Sequence, residues 1–364
     1  MRNSLESRQA QYITINGKKL IIFSSNDYLG LSHHPEVIKT FTEAAQNYGI
    51  GTGGAPLTSG TTIIHDKLAD EIADFKHREK AVIFPSGYAA NTALHQSLSD
   101  NDTIFFSDES NHPSIIDGIR LSGCPVNIYR HLDLTHLEAL LKKSGKSRKI
   151  AASCSAFTVN GDILPLDKIA RLKSKYHFHL ILDEAHATGC IGKTGRGLEE
   201  LYSLTGTADF IMGTFSKALG SQGGFLTFSE EAGKMLSGPL RAYKYSTSIA
   251  APIAAASLSS LKILKREPEL VARMRKNIQQ IYINLKRSGF EINSSGSHII
   301  NVYFSSKEKT SLIIDELHRR GYFVVPVSPD KRWGIRITAM ATHTDVEIDA
   351  FCRCLTEIRD DLQI

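Results

Sequence analysis

Residues 208–225 read ADFIMGTFSKALGSQGGF, and the interpretation of the chain starts from this stretch. The pattern predicts a short apolar strand, a turn rich in hydroxyl groups, and a second strand at residues 225–228 after two glycines. The turn carries Lys217, with Thr214 and Ser216 beside it. Most lysines are solvated surface charges. In a small, partly dry pocket, however, an ammonium loses its proton more readily, and the free amine reacts with an aldehyde.

Strands and helices alternate in the part of the chain that precedes this stretch. The predicted strands are residues 18–25, 81–84, 103–107, 126–129, 150–153 and 180–182. The predicted helices begin near Pro35 and include residues 63–75, 89–94, 114–121, 134–143 and 166–175. This alternation indicates an α/β domain whose mainly parallel sheet is covered by helices on both faces.

The pattern changes after about residue 251. A long helical region at residues 254–285 is interrupted near Pro268, and mixed elements follow it. These are strands at residues 298–304, 322–327 and 334–338 and helices at residues 311–319 and 345–362. The sequence therefore predicts a smaller α+β domain. The expected parts are an N-terminal arm (1–34), a large domain (35–250) and a C-terminal domain (251–364).

Composition narrows the class of protein. The 364 residues include 43 Lys and Arg against 38 Asp and Glu, so the excess of positive charge is small. No cluster of basic residues is interleaved with aromatic residues, and nucleic acid is therefore not expected as a partner. No apolar run approaches the ~20 residues of a membrane helix, and the first residues lack the apolar core of a signal peptide. We expect a cytoplasmic protein. The five scattered cysteines indicate neither a disulfide framework nor a metal site.

Two strand ends carry titratable side chains. The sequence HLILDEAH at residues 179–186 is an apolar strand that ends in Asp183, with His186 shortly after it. Such residues leave the carboxyl edge of a sheet, where ligands bind in open α/β folds. His112 follows another strand end and is a candidate to lie over a flat ligand. A solvated strand end and an ordinary loop histidine are the alternative interpretations.

Two further features suit an anionic ligand. Residues 85–88 read PSGY between a predicted strand and a predicted helix, where free backbone N–H groups can hold a phosphate. A capped junction fits the same pattern. Arg336, in a predicted strand, can clamp a carboxylate or can simply be exposed. A lysine, an acid, a phosphate site, a flat group and a carboxylate-binding cation are together what pyridoxal phosphate (PLP) requires.

These motifs, in this order and spacing, resemble the α-oxoamine synthase family of PLP enzymes. They are residues 23–35, 86–91, 111–118, 183–189, 213–220, 245–248 and 336–338. The resemblance implies PLP fold type I, an aspartate aminotransferase-like large domain with a mostly parallel sheet and a smaller α+β C-terminal domain. It also implies a homodimer whose active sites are shared between subunits.

The resemblance also assigns roles to individual residues. It implies that Lys217 binds the cofactor covalently and takes the α-proton of the amino acid, and that Asp183 meets the ring nitrogen. His186 would serve the phenolic oxygen, and His112 would stack on the ring. The phosphate would be held by Ser86, Gly87, Tyr88, Thr214 and Ser216, with Thr247 coming from the other subunit. The amino-acid carboxylate would be held by Asn26 and Arg336.

The implied reaction is a decarboxylative condensation of an amino acid with an acyl thioester of coenzyme A or of a carrier protein. Within the family, the motifs are most similar to the branch that joins L-alanine to a pimeloyl thioester in biotin biosynthesis. Another acyl-CoA condensation, such as that of glycine with acetyl-CoA, an aminotransferase and a non-catalytic paralogue remain open. Cys154 stands where the family usually has a glutamate, and the loop at residues 326–333 is shorter than the family's, so both bear on the substrate.

Overall fold

The computed structural model describes residues 4–8, 10–146, 148–293, 296–329 and 332–363. Asp330 and Lys331 of the short loop, and residues 1–3 of the N-terminus, lie outside the described residues. The chain forms two compact units. The large unit comprises Pro35–Phe157 and Leu164–Arg266, and the small unit comprises Met1–His34, Thr158–Ile163 and Glu267–Ile364.

The strands, in chain order, are β1 (Tyr12–Ile15), β2 (Lys18–Ile22), β3 (Lys80–Phe84), β4 (Thr103–Asp108), β5 (Val126–Tyr129), β6 (Arg148–Cys154), β7 (His179–Asp183), β8 (Phe210–Thr214), β9 (Gly224–Phe228), β10 (Ile299–Phe304), β11 (Tyr322–Phe323), β12 (Val325–Val327) and β13 (Trp333–Thr338). The helices are α1 (Pro35–Tyr48), α2 (Ile63–Phe75), α3 (Gly87–Ser97), α4 (Pro113–Ser122), α5 (Leu134–Lys143), α6 (Leu166–Tyr176), α7 (Leu198–Tyr202), α8 (Glu230–Gly233), α9 (Arg241–Lys244), α10 (Ala251–Arg266), α11 (Glu269–Arg287), α12 (Lys307–Arg319) and α13 (Asp345–Asp361).

The large unit contains a sheet in the order β3-β9-β8-β7-β6-β4-β5. Neighbouring strands from β8 to β5 are parallel, whereas β9 is antiparallel to both β8 and β3. Every residue of β8 and β9 is buried, as expected for strands covered on both faces. The predicted α/β fold with a mostly parallel sheet is confirmed.

The two units defined by contacts between residues differ from the expected N-terminal arm, large domain and C-terminal domain. The boundary at residues 34 and 35 is the same, but residues 251–266 belong to the large unit, and the N-terminal residues join the C-terminal part of the chain. The reason is packing. Helix α10 lies against α1 and α2. In the small unit, β2 pairs with β11, so the N-terminal strands share a sheet with a segment about 300 residues later in the chain.

In the small unit, the predicted strand at residues 322–327 is divided at Val324. Strand β11 pairs with β2, and β12 pairs with β13. The backbone N–H of Val325 donates to Ser24 Oγ at 3.1 Å, at the point where the chain passes from one sheet to the other. Strand β1 was not predicted, because a strand of only four residues carries little signal of alternation.

The small unit has its own apolar core. Phe23 stacks on Phe351 with 4.1 Å between ring centroids, and both side chains are fully buried. The core lies between α11, α12 and α13 and the antiparallel sheet. Among the described residues, no helix has the length and apolar character needed to cross a bilayer.

A buried ion pair in the large unit joins the end of α2 to the end of β7. Lys76 Nζ lies 2.5 Å from Glu184 Oε2, and both side chains are about 1% exposed. Lys76 also donates to the Arg196 carbonyl at 2.6 Å, and Glu184 accepts the Leu198 backbone N–H at 2.7 Å. These additional hydrogen bonds offset the desolvation of the two charges. The ion pair therefore fixes the position of Glu184, the residue that follows Asp183.

Replacing Lys76 with methionine should destabilise the protein, because the charge of Glu184 would remain buried without a cation. We expect a loss of about 3–5 kcal/mol in the free energy of unfolding, measured by urea denaturation. Lys80→Met is the matched control, since Lys80 pairs with Glu230 on the surface, and we expect a change within about 1 kcal/mol. Equal effects of the two substitutions would contradict this account.

Candidate active site

The site is built at the carboxyl edge of the parallel sheet. Asp183 ends β7, Cys154 ends β6, and Thr214 ends β8. Cys154 pairs in register with Asp183, and Asp183 pairs with Met212. Because the carboxyl ends of parallel strands lie side by side, residues far apart in sequence meet at this edge.

Asp183 is held in one orientation. Its Oδ1 accepts the Ala185 backbone N–H at 2.9 Å, and its Oδ2 accepts Asn91 Nδ2 at 2.8 Å. Asp183 is 5% exposed, and Asn91, on α3, is fully buried. A carboxylate fixed in this way at a sheet edge can meet the protonated nitrogen of a heteroaromatic ring.

Asp183 and Lys217 both lie close enough to His112 and to Cys154 to act on these two residues electrostatically. Partial burial lowers the pKa of His112, and Lys217 adds to this decrease, whereas Asp183 opposes it. Burial raises the pKa of the Cys154 thiol, and Asp183 raises it further, while Lys217 has the opposite effect. The structure therefore brings together the predicted lysine, acid and stacking histidine, with a neutral thiol among them.

The residues of the predicted phosphate site lie at the start of α3. Ser86 is the N-cap residue, and its Oγ accepts the Ala89 backbone N–H at 3.1 Å. Gly87 and Tyr88 occupy the first turn, where backbone N–H groups have no intrahelical partners. Capping and phosphate binding are therefore compatible, because they use different N–H groups. The Tyr88 side chain is directed to the Asp117 carboxylate, so only its backbone is available to a phosphate.

Two hydroxyl groups face this helix start. Thr214 Oγ1 and Ser216 Oγ are 2.8 Å apart, and Thr214 Oγ1 donates to the Gly223 carbonyl at 2.7 Å. A Cβ placed on Gly87 would lie 3.4 Å from the Cβ of Thr214, so the hydroxyl pair and the helix start are adjacent. First-turn N–H groups beside two hydroxyls suit a phosphate dianion. With Lys217 and Asp183 nearby, the residues present fit PLP.

Two further predicted residues lie in the large unit. His186 is buried in the turn that follows β7. Thr247 is exposed, and the backbone N–H of Ser248 donates to the Gly54 carbonyl at 3.1 Å. Thr247 is therefore carried on a surface segment attached to the glycine-rich loop at residues 51–54.

The predicted carboxylate-binding residues meet in the small unit. Arg336 Nη2 donates to Asn26 Oδ1 at 2.7 Å and to the Tyr28 hydroxyl at 3.2 Å. Arg336 Nε is buried, and no hydrogen-bond partner for it is found within the part of the chain that the structure describes. A guanidinium with a spare buried donor is suited to accept a carboxylate.

The sequence interpretation missed two residues at the large-unit site. Asn91 connects to both Asp183 and Ser114, and Ser114 contacts His112. A polar residue at position 91, within a predicted helix otherwise made of small and apolar residues, was the available signal. Its partners are distant in sequence, so the pattern alone did not reveal them.

Known proteins resemble this chain in sequence over almost its whole length. The sequence model of the family "Aminotransferase class I and II" matches residues 18–355. An 8-amino-7-oxononanoate synthase of Lysinibacillus sphaericus is 36% identical, with 97% of this chain and 92% of the relative aligned. The chain belongs to the α-oxoamine synthase family of PLP-dependent acyltransferases.

Other members of the α-oxoamine synthase family are similar over almost the same length. The mitochondrial 2-amino-3-ketobutyrate coenzyme A ligase of Homo sapiens is 35% identical, covering 97% of this chain and 86% of the relative. A serine palmitoyltransferase from S. paucimobilis, solved with a bound PLP–myriocin aldimine, superposes with a TM-score of 0.95 at 25% identity, covering 100% of this chain and 93% of that chain. The predicted family and PLP fold type I are confirmed.

Replacing Gly224 with alanine should disturb the phosphate site. A Cβ on Gly224 would lie 2.5 Å from the Ser86 carbonyl and 2.6 Å from the Gly87 backbone nitrogen, so the start of α3 must move. We expect a loss of about 1–3 kcal/mol in the free energy of unfolding and weaker PLP binding, measured by denaturation and absorbance titration.

Gly145→Ala is the control for this substitution. A Cβ at Gly145 has nothing within 4 Å, and we expect a change of about 0.5 kcal/mol or less and no effect on PLP affinity. Normal PLP affinity in Gly224→Ala would show that the helix start does not hold the phosphate.

Proposed function

We propose that this protein condenses L-alanine with a pimeloyl thioester, of coenzyme A or of a carrier protein, to form 8-amino-7-oxononanoate in biotin biosynthesis. The reaction releases carbon dioxide and the free thiol. The chemistry is supported by one observation above all: Lys217 and Asp183 both act on His112 at the sheet edge, beside the hydroxyl groups of Thr214 and Ser216 and the first turn of α3. The choice of substrates is supported by relatives named 8-amino-7-oxononanoate synthase, which are 33–36% identical over nearly the whole chain.

When bound, PLP supplies an aldehyde that links to amines and a pyridine ring that accepts electrons from the α-carbon of an amino acid. Asp183 would hold a proton at the ring nitrogen, since its carboxylate is oriented by donors on both oxygens. His112 would cover one face of the ring. The first turn of α3, with Thr214 and Ser216, would hold the phosphate, and His186 would donate to the phenolic oxygen.

Lys217 has two tasks in this proposal. Its amine would hold the cofactor covalently between turnovers. As a free amine, Nζ would take the α-proton of the amino acid and later return a proton to the product. Its position in a short turn directly after β8 keeps the amine near both Asp183 and His112.

Arg336 and Asn26 bind the carboxylate of the amino acid. A guanidinium forms two parallel hydrogen bonds with a carboxylate. Asn26 Oδ1 accepts a hydrogen bond from Arg336 Nη2 at 2.7 Å, so the Asn26 amide lies beside the guanidinium that would hold the carboxylate.

The substrate assignment is tested by measuring thiol release with L-alanine, glycine and L-serine, each combined with acyl thioesters of different chain length. We expect L-alanine with a pimeloyl thioester to have the highest kcat/KM, at least about tenfold above glycine with acetyl-CoA. Amino-group transfer to 2-oxoglutarate without thiol release would instead indicate an aminotransferase. Bound PLP that no amino acid perturbs would indicate a non-catalytic protein.

A second candidate function is the condensation of glycine with acetyl-CoA. The human 2-amino-3-ketobutyrate coenzyme A ligase is 35% identical to this chain, against 36% for the first relative, so overall identity does not separate the two reactions. The same set of substrates distinguishes them, because the two reactions differ in both the amino acid and the acyl chain.

We further propose a homodimer in which Thr247 of each subunit completes the phosphate site of the other. The surface near Thr247 is rich in exposed apolar side chains, which is typical of a subunit interface. They include Ile50 (89% exposed), Leu57 (61%) and Tyr245 (62%). The hydrogen bond between Ser248 and Gly54 holds the two segments that carry these side chains together.

Shared sites predict complementation between inactive subunits. Lys217→Ala should abolish turnover. Thr247→Val should weaken PLP binding about tenfold, so this variant should be inactive when PLP is limiting. A mixed dimer of these variants has one site with both residues intact and should recover up to half of the wild-type activity per dimer.

A mixed dimer of Lys217→Ala with Asp183→Ala is the control. Both residues come from the same chain at each site, so mixing restores nothing. Equal behaviour of the two mixtures, or a monomer by light scattering, would contradict the shared site.

A further inference from the structure

A continuous hydrogen-bonded chain connects Asp183 to His112 through two residues without an assigned role. Asn91 Nδ2 donates to Asp183 Oδ2 at 2.8 Å and to Ser114 Oγ at 2.8 Å. Ser114 Oγ lies 2.7 Å from His112 Nδ1. Asn91 is 0% exposed, and Ser114 is 1% exposed. We call this series of hydrogen bonds, from Asp183 through Asn91 and Ser114 to His112, the polar relay.

The direction of each hydrogen bond in the polar relay follows from the groups involved. A carboxylate only accepts, so Asn91 must present its amino group to Asp183, and the second N–H of that group reaches Ser114. The backbone N–H of Ser114 donates to His112 Nδ1 at 3.2 Å. Since a backbone N–H cannot accept, Nδ1 carries no proton, and the Ser114 hydroxyl also donates to it. The ring proton of His112 must then be on Nε2.

We propose that Asn91 and Ser114 are positioning residues that hold His112 as the neutral Nε2–H tautomer, in fixed orientation to Asp183. The proposal rests on the proposed function, in which His112 covers the cofactor ring. Protonation at Nδ1 would break two hydrogen bonds that the nitrogen accepts, from the backbone and from the hydroxyl of Ser114. A cationic imidazole would also repel a ring that is protonated at its nitrogen, so the neutral form favours the chemistry.

The charges around His112 do not ensure neutrality by themselves. The Asp183 carboxylate, from β7, favours the imidazolium, whereas Lys217, after β8, disfavours it. Cys154, from β6, carries a neutral thiol, since burial raises its pKa, and it accepts a hydrogen bond from the His112 backbone. His95, from α3, is also neutral above about pH 4, because burial lowers its pKa to about 4. The two charges oppose each other, and partial burial lowers the pKa of His112, so burial favours the neutral imidazole while the polar relay places its proton on Nε2.

The tautomer is tested directly on the wild-type protein. Selective ¹⁵N labelling of histidine in the apo protein, with His112→Gln to assign the signal, should show a protonated Nε2 and an unprotonated Nδ1. The opposite tautomer, or rapid exchange between the two, would overturn the proposal. This measurement needs no variant of Asn91 or Ser114 and no bound cofactor.

Substitution of Ser114 tests the relay. In Ser114→Ala the hydroxyl donor is lost, and we expect the pKa of His112 in the apo protein to rise by about one unit, a tenfold gain in proton affinity. Ser114→Thr retains the hydroxyl and should restore the wild-type value. An unchanged titration in a Ser114→Ala protein whose circular dichroism is native would show that Ser114 only caps α4.

The holoenzyme provides a second readout. In Ser114→Ala the acidic limb of the kcat profile should move about one unit to higher pH, because His112 is protonated earlier, while the KM for the amino acid stays unchanged. A rise in that KM without a change in the profile would contradict a role through His112. If borohydride failed to attach pyridoxyl to Lys217, the proposed function would fail, whereas the apo titration would still report on the relay.

Discussion

The parallel pairing of β6, β7 and β8 is the constraint on which the site depends. It places the ends of three strands, and therefore Cys154, Asp183 and Thr214, at one edge of the sheet. The turn after β7 carries His186, and the turn after β8 carries Ser216 and Lys217. No short-range contact is needed to bring Lys217 near Asp183, because the strand register does so.

The two buried carboxylates at this edge, Asp183 and Glu184, accept hydrogen bonds that also orient them. Glu184, directly after Asp183, is neutralised by Lys76 and accepts a backbone N–H from Leu198. Asp183 itself accepts donors on both oxygens. Since a buried charge without partners costs several kcal/mol, these contacts stabilise the fold and fix the geometry of the site together.

One position that the sequence analysis singled out as a departure from the family pattern lies at this edge. Cys154 pairs in register with Asp183, and burial raises the pKa of its thiol, so this position adds no negative charge near Lys217. The segment that follows, at residues 158–163, belongs to the small unit, where Asn301 Nδ2 donates to the Val159 carbonyl at 2.6 Å and Asn293 Nδ2 donates to the Asn160 carbonyl at 2.9 Å. These asparagines fix the path of a loop whose sequence differs from that of the family.

The sequence by itself determined the elements and the chemistry. Apolar strands of about five residues, helices with a 3.6-residue period, and a lysine, an acid and a histidine each placed near a strand end were sufficient to predict the α/β fold and a candidate PLP site. The resemblance of the motifs supplied the family and the roles of the other candidate site residues. Periodicity reports which residues face a core, and that information is local. Only the tertiary structure decided which chain segments share a sheet, as when β2 pairs with β11, or when one stretch divides between two sheets at Val324. It alone revealed the relay from Asp183 through Asn91 and Ser114, because hydrogen bonds between side chains depend on distances of a few ångström between residues up to 92 positions apart, and no local pattern encodes these distances.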